Sequence, residues 1–490
     1  MQELRHSPPE IWFRPHCLVE LTNRQITRTV RLGMRDAEHV RGYAPKERAR
    51  VRCRTEDGED LYTCWVRIQR VAVTSMSEVR VADLRGSPKF EDDPDALQQV
   101  LARYYDRCIV PDDVVTIVEF TYEEDMRMPH RTLVDCIDAG ILRIARQPYG
   151  QPQVVSGTAQ DALRAMSTAG GTVPLIAHEY PAYTPLLWNA AYRGFGLPYV
   201  SVMVTGDPAR IPEVLDAFRN DPWYLGGGAG VGFKQAVLSH LDTVDPLAAA
   251  MGAVNVIRRT LSGALEGYNT DGEGFAVSLE QALRVTGRSI RGATVVVLGA
   301  GGAGDAIAFA LAARGAQLRI CNRTVVRAEE LARRITSFVR GTHPEYDDAA
   351  VIAASETALH ELVADADAVV NTTSKGNGEM IAYSALGPVT LPPSPTGIAE
   401  NHAYALQVLA RCRPNTVIAD IVLAHEETIM LQQARTLGLP VLDGIPMVVE
   451  QAIDAFRIVH ERFVRARGVA RPQIAEYMWI AARSHMIPAT

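Results

Sequence analysis

The sequence predicts an α/β protein with a small N-terminal β-barrel followed by a two-domain α/β unit. Three observations predict it. At 490 residues the chain is too long for one core, and two to four domains are expected. Short β-type runs with turn signals fill the first 125 residues. From Val173 onward strands alternate with helical stretches, the pattern of a mostly parallel sheet covered on both faces. Composition is that of a soluble globular protein, with 47% hydrophobic and 22% charged residues and a net charge of −7. No run of 18 apolar residues predicts a membrane span. The segment Met1–Pro9 lacks the apolar stretch of a signal peptide. The seven cysteines are scattered without a C-x-x-C pair, which predicts reduced thiols, a cytoplasmic location and neither a disulfide framework nor a metal site.

Residues 10–125 form the expected barrel domain. Ala49–Cys53, Thr63–Val73 and Val114–Phe120 read as strands, and Asp93–Tyr105 as a helix opened by Asp-Asp-Pro. Arg28-Thr-Val-Arg-Leu-Gly33, the strand ending Arg67-Ile-Gln-Arg-Val71 and Val114-Val-Thr-Ile-Val-Glu-Phe120 together resemble the ASCH branch of the PUA-like barrels. Between Ile11 and Arg54, eleven Lys/Arg face four Asp/Glu. Arg48, Arg50, Arg52 and Arg54 alternate, so a strand would set them on one side as a phosphate-binding face for RNA or a nucleotide; the competing reading is a solvated face, or one docked on the rest of the chain.

Residues 126–171 read as a connector with some helix, including Ala159–Ala165. In 172–280, Asn189–Phe195, Arg210–Phe218 and Pro246–Met251 read as helices, and Tyr199–Val204 and Val254–Arg258 as strands. Residues 281–440 form a second α/β domain, in which the Pro-rich Thr390–Asn415 reads as a surface insertion. Residues 441–490 are expected to return as helices to the 172–280 domain.

The second α/β domain opens with Val295-Val-Val-Leu-Gly-Ala-Gly-Gly-Ala-Gly304, a glycine loop between a β-branched run and an Ala-rich helix. This is the Rossmann arrangement for a dinucleotide. Gly299 permits the tight turn, Gly301 lets the backbone approach a pyrophosphate, and Gly302, Ala303 and Gly304 begin a helix whose free N–H groups face the phosphates. The next strand ends at Asn322-Arg323-Thr324, followed by Arg327. Cations stand where a carboxylate would bind the 2′-hydroxyl of NAD, which predicts NADP. Ala368-Val-Val-Asn-Thr-Thr-Ser374 is a further strand whose end, with Thr373 and Ser374, borders the same ligand.

Four more segments complete the pattern: Gly226-Gly-Gly-Ala-Gly-Val-Gly-Phe-Lys234, Met251-Gly-Ala-Val-Asn255-Val-Ile257, Gly267-Tyr-Asn-Thr-Asp271-Gly272 and Asp443-Gly-Ile-Pro-Met-Val-Val-Glu-Gln451. With the glycine loop, in this order and spacing, they resemble the shikimate/quinate dehydrogenase family over roughly residues 172–462. The resemblance implies an NADP-dependent oxidoreductase acting on a small molecule. Lys234 and Asp271 match its catalytic pair, with lysine donating or accepting the alcohol proton. The ammonium suits that role if partial burial lowers its pKa. Asn255 and Gln451 match positions that hydrogen-bond substrate hydroxyls.

The departures from the family pattern bear on substrate. Its Ser-x-Ser-Pro, which holds the substrate carboxylate, stands here as Ala182-Tyr183-Thr184-Pro185. Its Asn and Thr before the lysine stand as Gly228 and Gly230. Its Asp-x-x-Tyr stands as Asp420-Ile-Val-Leu423. Each lost hydrogen bond to a buried carboxylate costs roughly 1–3 kcal/mol. The expected substrate is therefore another cyclic hydroxy or keto compound, with Thr184, Tyr183 and His178 as the nearest candidate contacts. Two other readings stay open: a catalytically silent ligand- or NADP-sensing regulator, and an RNA-associated protein acting through its N-terminal domain. Oligomeric state is open.

Overall fold

The computed structural model describes residues 9–22, 24–35, 42–54, 60–88, 93–123, 133–145, 171–178, 180, 182–221, 224–260, 263–343, 345, 350–423 and 426–486. The expected Ala159–Ala165 helix lies outside them.

In the N-terminal part, β1 (Glu10–Phe13), β2 (Arg28–Leu32), β3 (Arg48–Arg54), β4 (Asp60–Ser75) and β5 (Val114–Tyr122) form one sheet in the order β1-β3-β4-β5-β2. The expected barrel does not close, since β1 and β2 end the order and no pairing joins them among the described residues. The long strand β4 shifts register against β5 between Ile68 and Arg70. The two halves of the sheet enclose separate cores, one around Ile11, Val51, Ile68 and Phe120, the other around Val30, Leu97, Leu101 and Ile117.

On β3 the alternation holds: Ala49, Val51 and Cys53 are buried and the arginines between them are partly exposed. Three of these arginines are engaged locally. Arg48 pairs with Glu123 at 2.6 Å and lies over the Trp65 ring at 4.5 Å. Arg52 pairs with Glu10 at 2.7 Å, and Arg54 lies over Trp12 at 4.0 Å. Arg48 also donates to the Asn220 carbonyl at 3.4 Å, at the end of the Ile211–Asn220 helix of the next domain. These arginines are thus engaged by their own neighbours and, at Arg48, by a carbonyl of the α/β unit; no observation supports RNA binding.

The expected connector is partly structured. Its Leu133–Asp138 helix is followed by β6 (Leu142–Ile144), which pairs antiparallel with β10 at the edge of the middle sheet. The remaining strands of this region are β7 (Gly171–Thr172), β8 (Leu175–Ile176), β9 (Tyr199–Val200), β10 (Met203–Gly206), β11 (Gly226–Ala229), β12 (Thr243–Val244), β13 (Val256–Arg259) and β14 (Leu265–Tyr268). Seven of them run in the order β12-β14-β13-β11-β8-β10-β6, while β7 and β9 pair separately. The sheet is mixed, not mostly parallel, because β13 pairs antiparallel with both β11 and β14. Its centre is Gly-Gly-Gly-Ala. Close approach demands that composition, as a Cβ on Gly227 would stand 2.2 Å from the Pro174 carbonyl oxygen.

The last sheet comprises β15 (Thr294–Leu298), β16 (Gln317–Cys321), β17 (Val351–Ala354), β18 (Ala368–Asn371), β19 (Val417–Asp420) and β20 (Val441–Leu442), all parallel, in the order β17-β16-β15-β18-β19-β20. This is a doubly wound nucleotide fold, with one apolar core on each face. The Pro-rich insertion proves to be a helix, Pro395–Leu409. Ser394 caps it by accepting from Gly397 N at 3.1 Å, and Pro395 occupies its first turn, where a missing N–H costs nothing. Ala405, Val408 and Leu409 bury one side. The Gly444–Val459 and Arg471–His485 helices pack on the Thr184–Phe195 helix of the middle domain around Trp188, Phe456 and Met478.

One helix, Asp271–Val285, joins the two α/β domains. Its second residue meets the Gly302–Ala312 helix so closely that a Cβ on Gly272 would stand 2.0 Å from the Ala306 carbonyl oxygen. A Cβ on Gly274 would stand 2.6 Å from the backbone nitrogen of Gln451, in the Gly444–Val459 helix. Gly272→Ala is therefore expected to cost about 3 kcal/mol and to lower the thermal midpoint of the α/β unit by on the order of 5–10 °C. Differential scanning calorimetry checks this; an unchanged midpoint would mean the two helices slide apart freely.

Candidate active site

Asp271 is the first residue of the joining helix, preceded by Thr270 at the cap position. A carboxylate there sits at the positive end of the helix dipole. Its backbone nitrogen donates to Asn269 Oδ1 at 3.1 Å, and Asn269 Nδ2 donates to the Ala253 carbonyl at 2.9 Å, which ties this turn to the segment before β13. Lys234 lies in the turns that follow β11. Its backbone nitrogen donates to Gly230 O at 3.2 Å and its carbonyl accepts from Val254 N at 2.9 Å. Held this way, Lys234 Nζ reaches Asp271 Oδ2 at 2.5 Å. The lysine side chain is 34% exposed and the aspartate 14%, so the pair is partly open to solvent.

Asn255, buried just before β13, knits the pair to two more elements. Its Nδ2 hydrogens are shared among Asp271 Oδ1 at 2.9 Å, Thr270 Oγ1 at 3.0 Å and Gln451 Oε1 at 3.3 Å, and its Oδ1 accepts from Thr270 N at 2.8 Å. Four residues predicted from separate segments thus meet in one network. The electrostatics differ from the expectation. Burial pulls the Lys234 ammonium down, but the Asp271 carboxylate, through its charge and its hydrogen bond, more than restores it, and the net pKa is raised. The lysine is held protonated, as a proton donor.

The other candidates are placed unevenly. Thr184 is the first residue of the Thr184–Phe195 helix, and Tyr183, before it, packs partly against the core around Trp188 and Phe456. Ala182 is buried, Leu423 is 38% exposed beyond β19, and His178 is exposed with its ring edge-on to Phe233 at 5.5 Å. The sequence reading missed Tyr180. Its ring packs against a cluster including Leu175, Ala177 and Ala182, and its hydroxyl stands 3.0 Å from where a Cβ on Gly230 would be. The available signal was the coincidence of small residues at 182 and 230 with an aromatic residue two positions before the first of them.

The glycine loop leaves β15 with Gly299 at φ +106°, a conformation that favours glycine. A Cβ on Gly304 would stand 2.5 Å from Gly299 O, so that glycine serves helix–strand packing. Gly301 and Gly302 are different: both are exposed and no atom lies within 4 Å of an added Cβ. Nothing inside the chain requires them to be glycine, whereas a pyrophosphate approaching the helix start does. Ala303 completes the first turn. Asn322 Oδ1 accepts from Ala300 N at 3.3 Å and its Nδ2 donates to Thr324 O at 2.9 Å, bracing the loop against the end of β16. Arg323 and Arg327 are exposed and have no side-chain hydrogen bond or ion pair among the described residues, unlike Arg319, Arg334 and Arg413 of the same domain. Beyond β18, Thr373 Oγ1 donates to Asn371 Oδ1 at 2.7 Å, and Ser374 is exposed. The residues present fit a dinucleotide.

Comparisons with known proteins agree with this geometry. A family model for the shikimate dehydrogenase substrate binding domain matches residues 180–257, and one for shikimate / quinate 5-dehydrogenase matches residues 280–381. The chain is 33% identical over 283 residues to the shikimate dehydrogenase (NADP(+)) of Methanosarcina mazei, covering 56% of this chain and 87% of that protein. It is 34% identical over 270 residues to the quinate/shikimate dehydrogenase (NAD(+)) of Corynebacterium efficiens, covering 54% and 83%. A crystal structure of shikimate 5-dehydrogenase from Listeria monocytogenes in complex with shikimate and NAD is similar at 25% identity and a TM-score of 0.49, covering 59% of this chain and 92% of that one.

Asp420, at the end of β19, is buried among Asn371 Nδ2 at 2.9 Å, Thr428 Oγ1 at 2.8 Å and Val422 N at 3.0 Å. Burial pushes its carboxyl up to about 6, against the pull of those hydrogen bonds. A raised carboxyl pKa favours folding below the unfolded value near 4, and that contribution is lost as pH rises through the folded value. Wild type should lose about 2 kcal/mol relative to Asp420→Asn between pH 4 and pH 6. Thermal midpoints of the two proteins, subtracted at each pH, check this; a constant difference would show that Asp420 stays ionised in the fold.

Proposed function

The chain belongs to the shikimate/quinate dehydrogenase family and is an oxidoreductase of that type; from that premise we propose that it is an NADP(H)-dependent dehydrogenase or reductase of a cyclic hydroxy or keto compound other than shikimate. The observation that carries this reading is the 2.5 Å contact of Lys234 with Asp271, closed by Asn255 and Gln451. It supports an intact redox site and disfavours a silent sensor, which would have no need of a paired, partly exposed lysine. The relatives above are named for both NADP(+) and NAD(+), so the choice of NADP rests on Arg323 and Arg327. Two unpaired guanidinium groups at the end of the second strand suit a 2′-phosphate and would be idle beside a 2′-hydroxyl.

The bound nicotinamide supplies or accepts the hydride. The rest falls to this chain. Lys234, held protonated by Asp271, donates a proton to the carbonyl oxygen as the ketone becomes an alcohol, and in the reverse direction it takes that proton back. Asp271 fixes the ammonium and offsets its charge. Asn255 and Gln451 orient substrate hydroxyls beside the pair, with Thr184 as a further candidate contact. The substitutions at Ala182, Gly228, Gly230 and Leu423 support a substrate other than shikimate.

The test is a screen of NADPH oxidation over cyclic ketones and enones. Lys234→Ala should lower turnover of any reduced compound by about a hundredfold or more while NADPH binding persists; full activity in that variant would remove Lys234 from the mechanism. Arg323→Asp should weaken NADPH far more than NADH in a fluorescence titration. Equal affinity of the wild-type protein for the two cofactors would overturn the NADP assignment, and efficient reduction of 3-dehydroshikimate would overturn the substrate assignment.

A further inference from the structure

Small residues at two positions and a large one between them form a matched set beside the Lys234–Asp271 pair. Tyr180 packs against the buried cluster that contains Leu175, Ala177 and Ala182, and its hydroxyl and Cε1 stand 3.0 and 3.4 Å from where a Cβ on Gly230 would be. A Cβ at 230 would stand 2.7 Å from the Ala177 Cβ and would crowd the Tyr180 hydroxyl as well. One step on, a Cβ on Gly232 would stand 2.1 Å from the His178 ring, so the glycines of this turn make room for the aromatic residues of the facing segment. The two segments are stitched together: Gly230 N donates to Ile176 O at 2.8 Å and His178 N to Val231 O at 2.9 Å. Gly230 O in turn accepts from Lys234 N, so the turn that receives the Tyr180 hydroxyl also carries the lysine. Among the described residues, the charges of Lys234 and Asp271, which are paired with each other, bear on that hydroxyl.

We propose that Tyr180 is a specificity-determining residue whose hydroxyl, seated in the slot left by Ala182 and Gly230, hydrogen-bonds an uncharged hydroxyl or carbonyl of the substrate, so that the site takes neutral cyclic polyols and hydroxyketones in preference to carboxylated ones. A phenol donates to or accepts from a neutral oxygen without burying an unbalanced charge. A carboxylate placed there would meet a lysine already neutralised by its aspartate, and burying a charge without a partner is costly. The proposal rests on the redox reading above and narrows its substrate class.

The experiment uses the full chain and its Tyr180→Phe variant, which keeps the ring. NADPH oxidation is followed with 2-keto-myo-inositol as the neutral ketone and 3-dehydroshikimate as the carboxylated one. Expected are a higher kcat/KM for the neutral ketone, and a KM for it raised about tenfold in Tyr180→Phe, the worth of one hydrogen bond, with kcat within about threefold. Thermal midpoint and NADPH affinity should not move, which separates a substrate contact from a packing role. A higher kcat/KM for 3-dehydroshikimate, or an unchanged KM in the variant, overturns the proposal. If neither ketone is reduced, calorimetric titration of the NADP-loaded protein with myo-inositol and shikimate decides separately. Myo-inositol binding lost in Tyr180→Phe upholds the role of Tyr180 while the redox reading falls; tighter shikimate binding, or no binding of either, overturns the proposal too.

Discussion

The contact on which the rest of the site depends is made by backbone. At Gly272 the joining helix touches the first helix of the nucleotide domain, and at Gly274 it touches the C-terminal helix that carries Gln451. These approaches, each closer than a methyl group permits, fix three helices at once. Asp271 lies one residue before the first contact and Gln451 lies at the second. The dyad's distance from the glycine loop is thus set by helix packing, which is stiff, and not by loop conformation. A site on such a frame holds its geometry without long polar networks, and the network around Asn255 is accordingly short.

Within that frame the electrostatics are local and balanced. Lys234 and Asp271 pair with one another, Asn255 gives its hydrogens to the carboxylate and its neighbours, and the carboxylate stands at the positive end of the helix dipole. The raised lysine pKa follows from this balance. The cofactor side is built on another principle. Among the described residues Gly301, Gly302, Arg323 and Arg327 have no internal partners, and a dinucleotide approaching from outside accounts for their identities.

The N-terminal domain departs most from its sequence reading. Strand alternation on β3 was legible because one side is buried, and period two follows from that alone. Closure was not legible, because it depends on which edges meet. The register shift in β4 and the two separate cores are properties of strands distant in sequence. The arginines show the same limit: their side of the strand was given by spacing, but their partners Glu123, Glu10, Trp65 and Trp12 come from elsewhere.

In the α/β unit, the sequence by itself determined the glycine loop and the cationic end of β16 from local composition, and the four polar residues of the network through the resemblance of their segments to the family. It also exposed the loss of hydroxyls at Ala182, Gly230 and Leu423. What filled the space was decided by tertiary structure. Tyr180 belongs to no motif, and its role follows from two segments lying side by side through β8 and β11, which leaves no trace in either segment's own pattern. The same holds for the Pro395–Leu409 helix and for β6. A Pro-rich start and a three-residue Leu-Arg-Ile segment are ambiguous alone, and a buried face or a sheet edge to pair with resolves them.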